Sequence, residues 1–133
     1  MKKLIALIFL TLIELNITAC LETSLEPEEN KEIFGIWVEK NRDSTLTLER
    51  EAELDKDKYG FIIEPSGKFT ERKNSGWCGT PPITYANFDG NWEYSIDSLL
   101  NIEVEYWGGM TNYKMEILSI KDDELVVKFI YNN

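Results

Sequence analysis

The feature that most constrains the fold is a hydrophobic period of two residues, which begins near Phe34 and continues to the end of the chain. In the stretch NWEYSI, the side chains of Trp92, Tyr94 and Ile96 fall on one face of an extended strand, and their polar neighbours fall on the other. Such alternation is typical of antiparallel strands with one buried and one solvated face. The pattern therefore predicts an all-β domain.

Turn signals separate the alternating runs, and one of them is FDGN at residues 88–91. Their spacing of roughly 10 to 13 residues favours an antiparallel up-and-down meander. Eight strands close into a barrel that holds side chains or one small ligand. The second strand is the least regular, because residues 49–60 are also compatible with a short helix or a loop. The expected strands span residues 35–40, 44–50, 58–64, 68–73, 89–96, 99–107, 110–120 and 124–131.

The first residues of the chain differ from the rest. Two lysines are followed by an apolar run of about ten residues, which is the pattern of a secretory signal peptide. The run is shorter than the roughly 20 apolar residues that cross a bilayer. The four residues 17–20, ITAC, resemble the bacterial lipobox, in which an aliphatic residue and two small residues precede a cysteine.

The lipobox resemblance implies that the peptide is cut before Cys20, that the Cys20 thiol receives a diacylglycerol, and that the new N-terminus is acylated, for example with palmitate. More than one acyl chain gives a stable membrane anchor. An ordinary secreted protein cut after Ala19 is the alternative. The domain organisation that follows is 1–19 as lipoprotein signal peptide, 20–33 as lipidated cysteine and acidic tether, and 34–133 as the barrel domain.

The tether carries the information on destination. Leu21 stands where an aspartate retains enterobacterial lipoproteins at the inner membrane, which favours the outer membrane. The acidic residues that follow Cys20 are similar to the surface-export tethers of Bacteroidota lipoproteins. We therefore expect a lipoprotein of the cell envelope, held at the outer membrane on its periplasmic face or at the cell surface.

Composition argues against several function classes. The chain has no histidine, and so lacks the commonest general base and the commonest metal ligand. Its formal net charge of −10 repels phosphate backbones. We therefore expect no catalytic activity, no metal or other cofactor and no nucleic-acid partner, and we expect a monomer. An enzyme of unfamiliar type would need two carboxylates that converge in a cleft.

The stretch SGWCGTPP resembles the start of a thioredoxin-type redox site. Such a site needs a second, resolving thiol three residues after Cys78, and that position is Pro81. The glycines and prolines of segment 73–87 instead predict a long loop at the barrel mouth. The loop is either a lid that uses Trp77 as an aromatic anchor, or a cover for the barrel end in which Cys78 is a small buried hydrophobe.

Gly35-Ile36-Trp37, at the start of the first expected strand, resembles the Gly-x-Trp signature of lipocalins. The layout of IEPSGKF, FDGNWEYSID and YKMEILSIKDDELVVKF resembles the small lipocalin-like lipoproteins of Bacteroidota-type bacteria. The resemblance implies a lipocalin-like eight-stranded barrel with a binding role, in which Gly35 bends the chain at the barrel floor and Trp37 plugs it. The chain departs from true lipocalins in its short length and in lacking the usual C-terminal helix. No ligand is implied.

Two functions follow as hypotheses. The first is a membrane-anchored lipoprotein that binds a small apolar or amphipathic molecule inside the barrel. The second is a filled barrel that acts as an accessory or inhibitory lipoprotein and binds a protein or a glycan. Aromatic side chains on inward strand faces either line a pocket or form the core. The candidate ligand-binding residues are Trp77, Tyr85, Tyr94, Tyr106 and Tyr113.

Overall fold

The computed structural model describes residues 32–76, 78–96 and 98–132. The predicted signal peptide, Cys20 and nearly all of the tether lie outside the described residues. The described residues form eight strands and no helix, and hence no helix that could cross a membrane. The strands are β1 (Gly35–Arg42), β2 (Leu46–Glu51), β3 (Gly60–Ile63), β4 (Lys68–Asn74), β5 (Tyr85–Ile96), β6 (Leu99–Tyr106), β7 (Gly109–Lys121) and β8 (Glu124–Tyr131).

The eight strands close into one barrel in which every neighbouring pair is antiparallel. The predictions of an all-β fold, of antiparallel pairing and of an eight-stranded barrel are therefore confirmed. Strands β3 to β8 follow one another around the wall as an up-and-down meander. The order differs from the chain order at one place only, since β2 pairs with β1 and β8 while β3 pairs with the other edge of β1.

The connection between β2 and β3 crosses the outside of β1. Both strands run antiparallel to β1, so the chain must return along the barrel before β3 begins. Leu54 of this connection lies against the outward side of Gly60. Val38, which points away from the core, is only 5% exposed. The backbone N–H of Glu39 donates to the Tyr59 carbonyl at 2.9 Å and holds the connection at its far end.

The largest difference from the predicted strands is at β5, which begins at Tyr85 and runs through the predicted turn at residues 88–91. Gly90 lies inside the strand, where a Cβ would overlap the Glu103 carbonyl oxygen of β6. The glycine is therefore required for the close approach of two strands, and the turn prediction is wrong. The loop predicted over 73–87 shortens to residues 75–84, because β4 and β5 pair as far as Asn74 and Tyr85.

The core fills the barrel between these strands as one continuous cluster. Its members are inward residues of alternating strand positions, as the period of two predicts. The largest fully buried side chains include Trp37, Leu48, Phe61, Phe69, Leu100, Met115 and Leu125.

Candidate functional site

The two ends of the barrel differ, and we name them here. The floor is the end at which residues 32–34 lead into β1 and at which the β3–β4, β5–β6 and β7–β8 turns lie. The mouth is the opposite end, formed by the β1–β2 turn, the β4–β5 connection, the β6–β7 turn and the end of β8.

The floor is closed by Trp37. Its indole Nε1 donates to the Ile33 carbonyl at 2.8 Å, and the Arg50 guanidinium lies 4.3 Å from the centre of its ring system. Arg50 also donates to the carbonyls of Phe34 and Glu32, each at 2.6 Å. Residues 32–34 therefore enter the barrel next to the contact between Trp37 and Arg50, and these two side chains close the floor.

Gly35 comes two residues before Trp37 and lies against the Arg50 side chain. Its φ of +135° is one that residues with a Cβ rarely adopt, and a Cβ there would lie 2.5 Å from Nη1 of Arg50. The glycine therefore lets Arg50 reach the carbonyls before β1. The structure places Gly35 and Trp37 together at the floor, where the lipocalin resemblance expects them.

A buried polar group lies at the mouth. Glu71 of β4 is 4% exposed, and one of its carboxylate oxygens accepts hydrogen bonds from the hydroxyls of Tyr59 at 2.6 Å and Tyr113 at 3.0 Å. The Lys73 ammonium donates to the other oxygen at 2.7 Å. We call these four residues the mouth cluster. The alternation of β4 turns Glu71 and Lys73 to the same side as the buried Phe69.

Burial controls the protonation of the two tyrosines. It raises the pKa of Tyr59 and of Tyr113 well above the usual value for tyrosine, and the neighbouring Glu71 carboxylate raises both further. The hydroxyls therefore remain protonated and act as donors at neutral pH. The cluster thus presents one carboxylate, two neutral donors and one ammonium group.

Aromatic rings surround the mouth cluster. The ring of Phe129 packs edge-on against Tyr59 at 6.2 Å and against Tyr113 at 5.2 Å. Tyr131 lies 5.6 Å from Tyr113 between ring centres and is 63% exposed, so the aromatic group reaches the open rim. At the mouth, the Arg42 guanidinium lies over the Tyr59 ring at 4.7 Å and the Lys73 ammonium lies over the Phe88 ring at 5.2 Å.

The barrel wall is split beside the mouth. Pairing between β5 and β6 ends at Gly90 opposite Val104, and above it β5 pairs only with β4, and β6 only with β7, among the described residues. The next facing pair would be Asp89 and Glu105, whose like charges oppose pairing. The split is flanked by the exposed carboxylates of Asp89 and Glu105.

The predicted ligand-binding residues divide between the two ends. Tyr113 belongs to the mouth cluster, while Tyr85 and Tyr106 lie at the strand ends that border the split. Tyr94 lies toward the floor instead, opposite Leu100 near the β5–β6 turn, so it does not share a site with the others. Alternation shows that a residue faces inward but not at which height it lies, which is why the prediction grouped them. Trp77 is outside the described residues.

Cys78 is exposed, so the interpretation as a small buried hydrophobe is wrong. Its Sγ lies 3.2 Å from the Thr80 hydroxyl, and hydrogen bonding with Thr80 lowers the pKa of the thiol. The connection around it contains Gly76, Gly79 and two prolines, and within this loop the thiol is exposed to solvent.

Sequence reasoning missed Tyr59, Glu71, Lys73 and Arg42. A signal was present in KFTERKN, where a strand that turns Phe69 inward must also turn Glu71 and Lys73 inward. Tyr59 had no such signal, because it belongs to the connection that crosses β1 and reaches the mouth only through that crossing.

A concavity lies outside the barrel, on the outer face of β5, β6 and β7. It is a groove of about 370 Å³, and the side chains that face it from these strands are Asn91, Glu93, Asn101, Glu103, Asn112 and Lys114. Within the described ranges no three acidic, cysteine or histidine side chains are grouped as a metal site. Comparison of the chain with protein-family models, with curated proteins and with solved structures finds no match.

Proposed function

We propose that the chain is a membrane-tethered binding protein that holds a small amphipathic molecule at the mouth of a lipocalin-like barrel. The observation that carries the proposal is the buried Glu71 carboxylate, with its donors Tyr59, Tyr113 and Lys73, beneath an exposed aromatic rim. Barrel mouths are among the preferred places for small-molecule sites, which combine apolar walls with a few oriented polar groups.

The energetics of the cluster support a binding role. A buried ion pair contributes little to folding stability, and apolar residues of the same size often serve as well or better. The residues below the cluster follow that alternative, since Phe61, Phe69 and Leu48 fill the interior without polar groups. A carboxylate with two tyrosine donors at the open end is therefore better explained by recognition of a polar group than by packing.

The filled interior limits where a ligand lies. Because Phe61 and Phe69 are fully buried and contact each other at 5.5 Å between ring centres, a ligand is held in the upper barrel and at the rim. Its polar end meets the mouth cluster, and its apolar part lies along Phe129 and Tyr131. We propose binding and not catalysis for this site.

The position of the tether is part of the proposal. Residues 32–34 enter the barrel at the floor, so a lipid anchor on Cys20 would attach the floor side to the outer membrane and leave the mouth accessible. Acyl labelling of the chain and of Cys20→Ala in a bacterial host tests the anchor. Label at wild-type levels in Cys20→Ala would contradict it.

Native mass spectrometry tests the binding proposal. All eight strands and the floor residues lie within 32–132, so a chain of residues 21–133 retains every described contact. We expect this chain, after exposure to host lysate, to carry a ligand-sized mass that is lost on denaturation.

A matched pair of variants locates the ligand. Tyr131→Ser removes an exposed apolar side chain at the mouth, and Ile96→Ser removes one of similar exposure at the floor end. We expect the bound mass to decrease in Tyr131→Ser and to persist in Ile96→Ser. Equal occupancy in both variants would show that the mouth is not the site.

A second candidate function is supported by the β6–β7 turn. Trp107 in the turn is 57% exposed, Met110 at the start of β7 is 51% exposed, and Trp107 packs edge-on against Tyr106 at 5.6 Å. An exposed aromatic side chain on a projecting turn is an anchor for a protein or glycan partner. In that case Trp107→Ala would abolish capture of a partner, while Tyr131→Ser would leave it unchanged.

A further inference from the structure

Two cationic side chains of the protein, Lys73 and Arg42, lie against the carboxylates and aromatic rings of the mouth. The Lys73 ammonium lies 2.7 Å from the Glu71 carboxylate and 5.2 Å from the centre of the Phe88 ring. It thus occupies the place in which a carboxylate and an aromatic face together stabilise a positive charge. Arg42 does the same over Tyr59 and is paired with Glu39 at 3.0 Å.

The three partners of Glu71 differ in how firmly they are held. Tyr59 and Tyr113 pack against Phe129, so their hydroxyls are fixed by the surrounding rings. Lys73 lies nearest the rim, with a side chain that is 20% exposed and four carbons long. It is the one partner that can rotate into solvent without disturbing the core, and its departure leaves a buried carboxylate that requires another cation.

We infer that the mouth selects amphiphiles with a cationic head, a primary or quaternary ammonium group, which replaces Lys73 beside Glu71. This inference rests on the proposed function, because it assigns a ligand class to the same site. The head lies against the Glu71 carboxylate and the rings of Phe88 and Tyr113. The apolar tail lies along Phe129 and Tyr131 toward the rim.

The charge distribution favours the same class of ligand. Asp89 and Glu105, which flank the split between β5 and β6, are exposed, with the Lys68 ammonium 4.0 Å from Asp89, and Glu103 lies on the outer face next to the split. The whole chain carries a net charge of −10. This field raises the local concentration of cations and opposes the approach of anions to the mouth.

Three amphiphiles with one tail length test the inference. Decyltrimethylammonium, decyl maltoside and decanoate, each below its micelle concentration, are titrated calorimetrically into the chain of residues 21–133. We expect the cation to bind about tenfold more tightly than the neutral maltoside, as a partly desolvated cation–aromatic contact predicts. We expect decanoate to bind most weakly.

Variants assign the preference to the cluster. Lys73→Met removes the internal competitor and should tighten binding of decyltrimethylammonium, whereas Glu71→Gln should remove the preference for the cation. Lys121→Met is the matched control, because it makes the same charge change at an exposed residue at the floor end of β7 and should leave the preference unchanged. Thermal unfolding establishes that each variant is folded, and if Glu71→Gln is not, Lys73→Met decides alone.

The outcomes separate the inference from the proposal beneath it. Equal affinity for all three amphiphiles, tighter binding of decanoate, or an unchanged affinity in Lys73→Met overturns the cationic selectivity and leaves a mouth site for amphiphiles. Absence of binding by all three, together with absence of a ligand mass in the lysate experiment, overturns the proposed function as well.

Discussion

The floor and the mouth of this barrel each contain an arginine over an aromatic ring, but the two arginines are held differently. At the floor the Arg50 guanidinium lies 4.3 Å from the Trp37 ring centre, and at the mouth the Arg42 guanidinium lies 4.7 Å from the Tyr59 ring centre. Arg50 is held by two main-chain carbonyls at 2.6 Å, with the exposed Asp123 carboxylate farther away at 3.5 Å, whereas Arg42 is held by the Glu39 side chain. Main-chain partners move only with the backbone, but side-chain partners rotate and can be replaced. The floor is therefore a closure, and the mouth is suited to exchange.

The comparison extends to the surroundings of each contact. Trp37 has no exposed surface, and its indole N–H is satisfied by Ile33. Around Tyr59 the carboxylate of Glu71 replaces part of the apolar packing, and Tyr131 reaches solvent. Because its tryptophan is fully buried, the floor should contribute more than the mouth to the free energy of unfolding. The mouth should respond most to pH and to ligands.

The largest effect is expected from Trp37→Ala at the floor. Removal of a fully buried indole and of its hydrogen bond should lower the free energy of unfolding by about 3–5 kcal/mol, measured by urea titration. Trp107→Ala at the mouth is the control, and it should change that free energy by less than about 0.5 kcal/mol because the side chain is largely exposed. Similar losses in both variants would remove the distinction between the two ends.

Alkaline pH should weaken the mouth next. Folding raises the pKa of Tyr59 and Tyr113 above 10.0, so the unfolded chain releases protons there while the folded chain keeps them. Their contribution to the free energy of unfolding is complete well below pH 10.0 and is lost as the pH rises above that value. The loss should approach a slope on the order of 1 kcal/mol per pH unit for each tyrosine.

Urea titrations between pH 9 and pH 11 measure this slope. In the double variant Tyr59→Phe with Tyr113→Phe, the free energy of unfolding should decline less steeply with pH, because the two tyrosines no longer contribute. A decline of the same steepness in the double variant would assign the alkaline instability to other residues.

A smaller effect should separate the two arginines. Arg50→Met removes two charge-assisted hydrogen bonds to carbonyls and should cost about 2 kcal/mol of unfolding free energy. Arg42→Met removes a half-exposed ion pair and should cost about 0–1 kcal/mol. Urea titration of the two variants side by side measures the difference, and an equal or larger loss in Arg42→Met would contradict it.

The smallest effect should come from the β4–β5 connection. Cys78 is exposed, so Cys78→Ser should leave the urea midpoint unchanged. In the folded wild-type chain the thiol should react with a disulfide reagent nearly as fast as in urea. A lowered midpoint or a protected thiol would show that the connection covers the mouth more tightly than its exposure indicates.

Most of the fold was predictable because strand and turn chemistry is local. Alternation located all eight strands, and the strand from Glu124 to Tyr131 agrees with its predicted bounds. The start of β5 was not predictable, because Gly90 belongs to a stretch that is typical of a turn, whereas its actual role is to let two strands approach closely. Only the approach of Glu103 in β6 shows why a glycine is needed there.

The candidate site was predictable only in part. Tyr113 and Tyr94 were predicted together from their inward positions, although they lie at different heights, because period alone does not measure height in the barrel. Glu71 was passed over because an acidic residue in a strand is ordinarily solvated. Its burial depends on Tyr59 and Tyr113, which lie 12 and 42 residues away in sequence.

The sequence by itself determined the period of two, the turns and the closed class of architecture, since these follow from which face of each strand avoids water. The tertiary structure decided the rest. It placed β2 between β1 and β8, carried Tyr59 across β1 to the mouth and joined it to Glu71 and Tyr113. The physical reason is that burial and hydrogen bonding depend on distances between residues remote in the chain, and only closure of the barrel determines those distances.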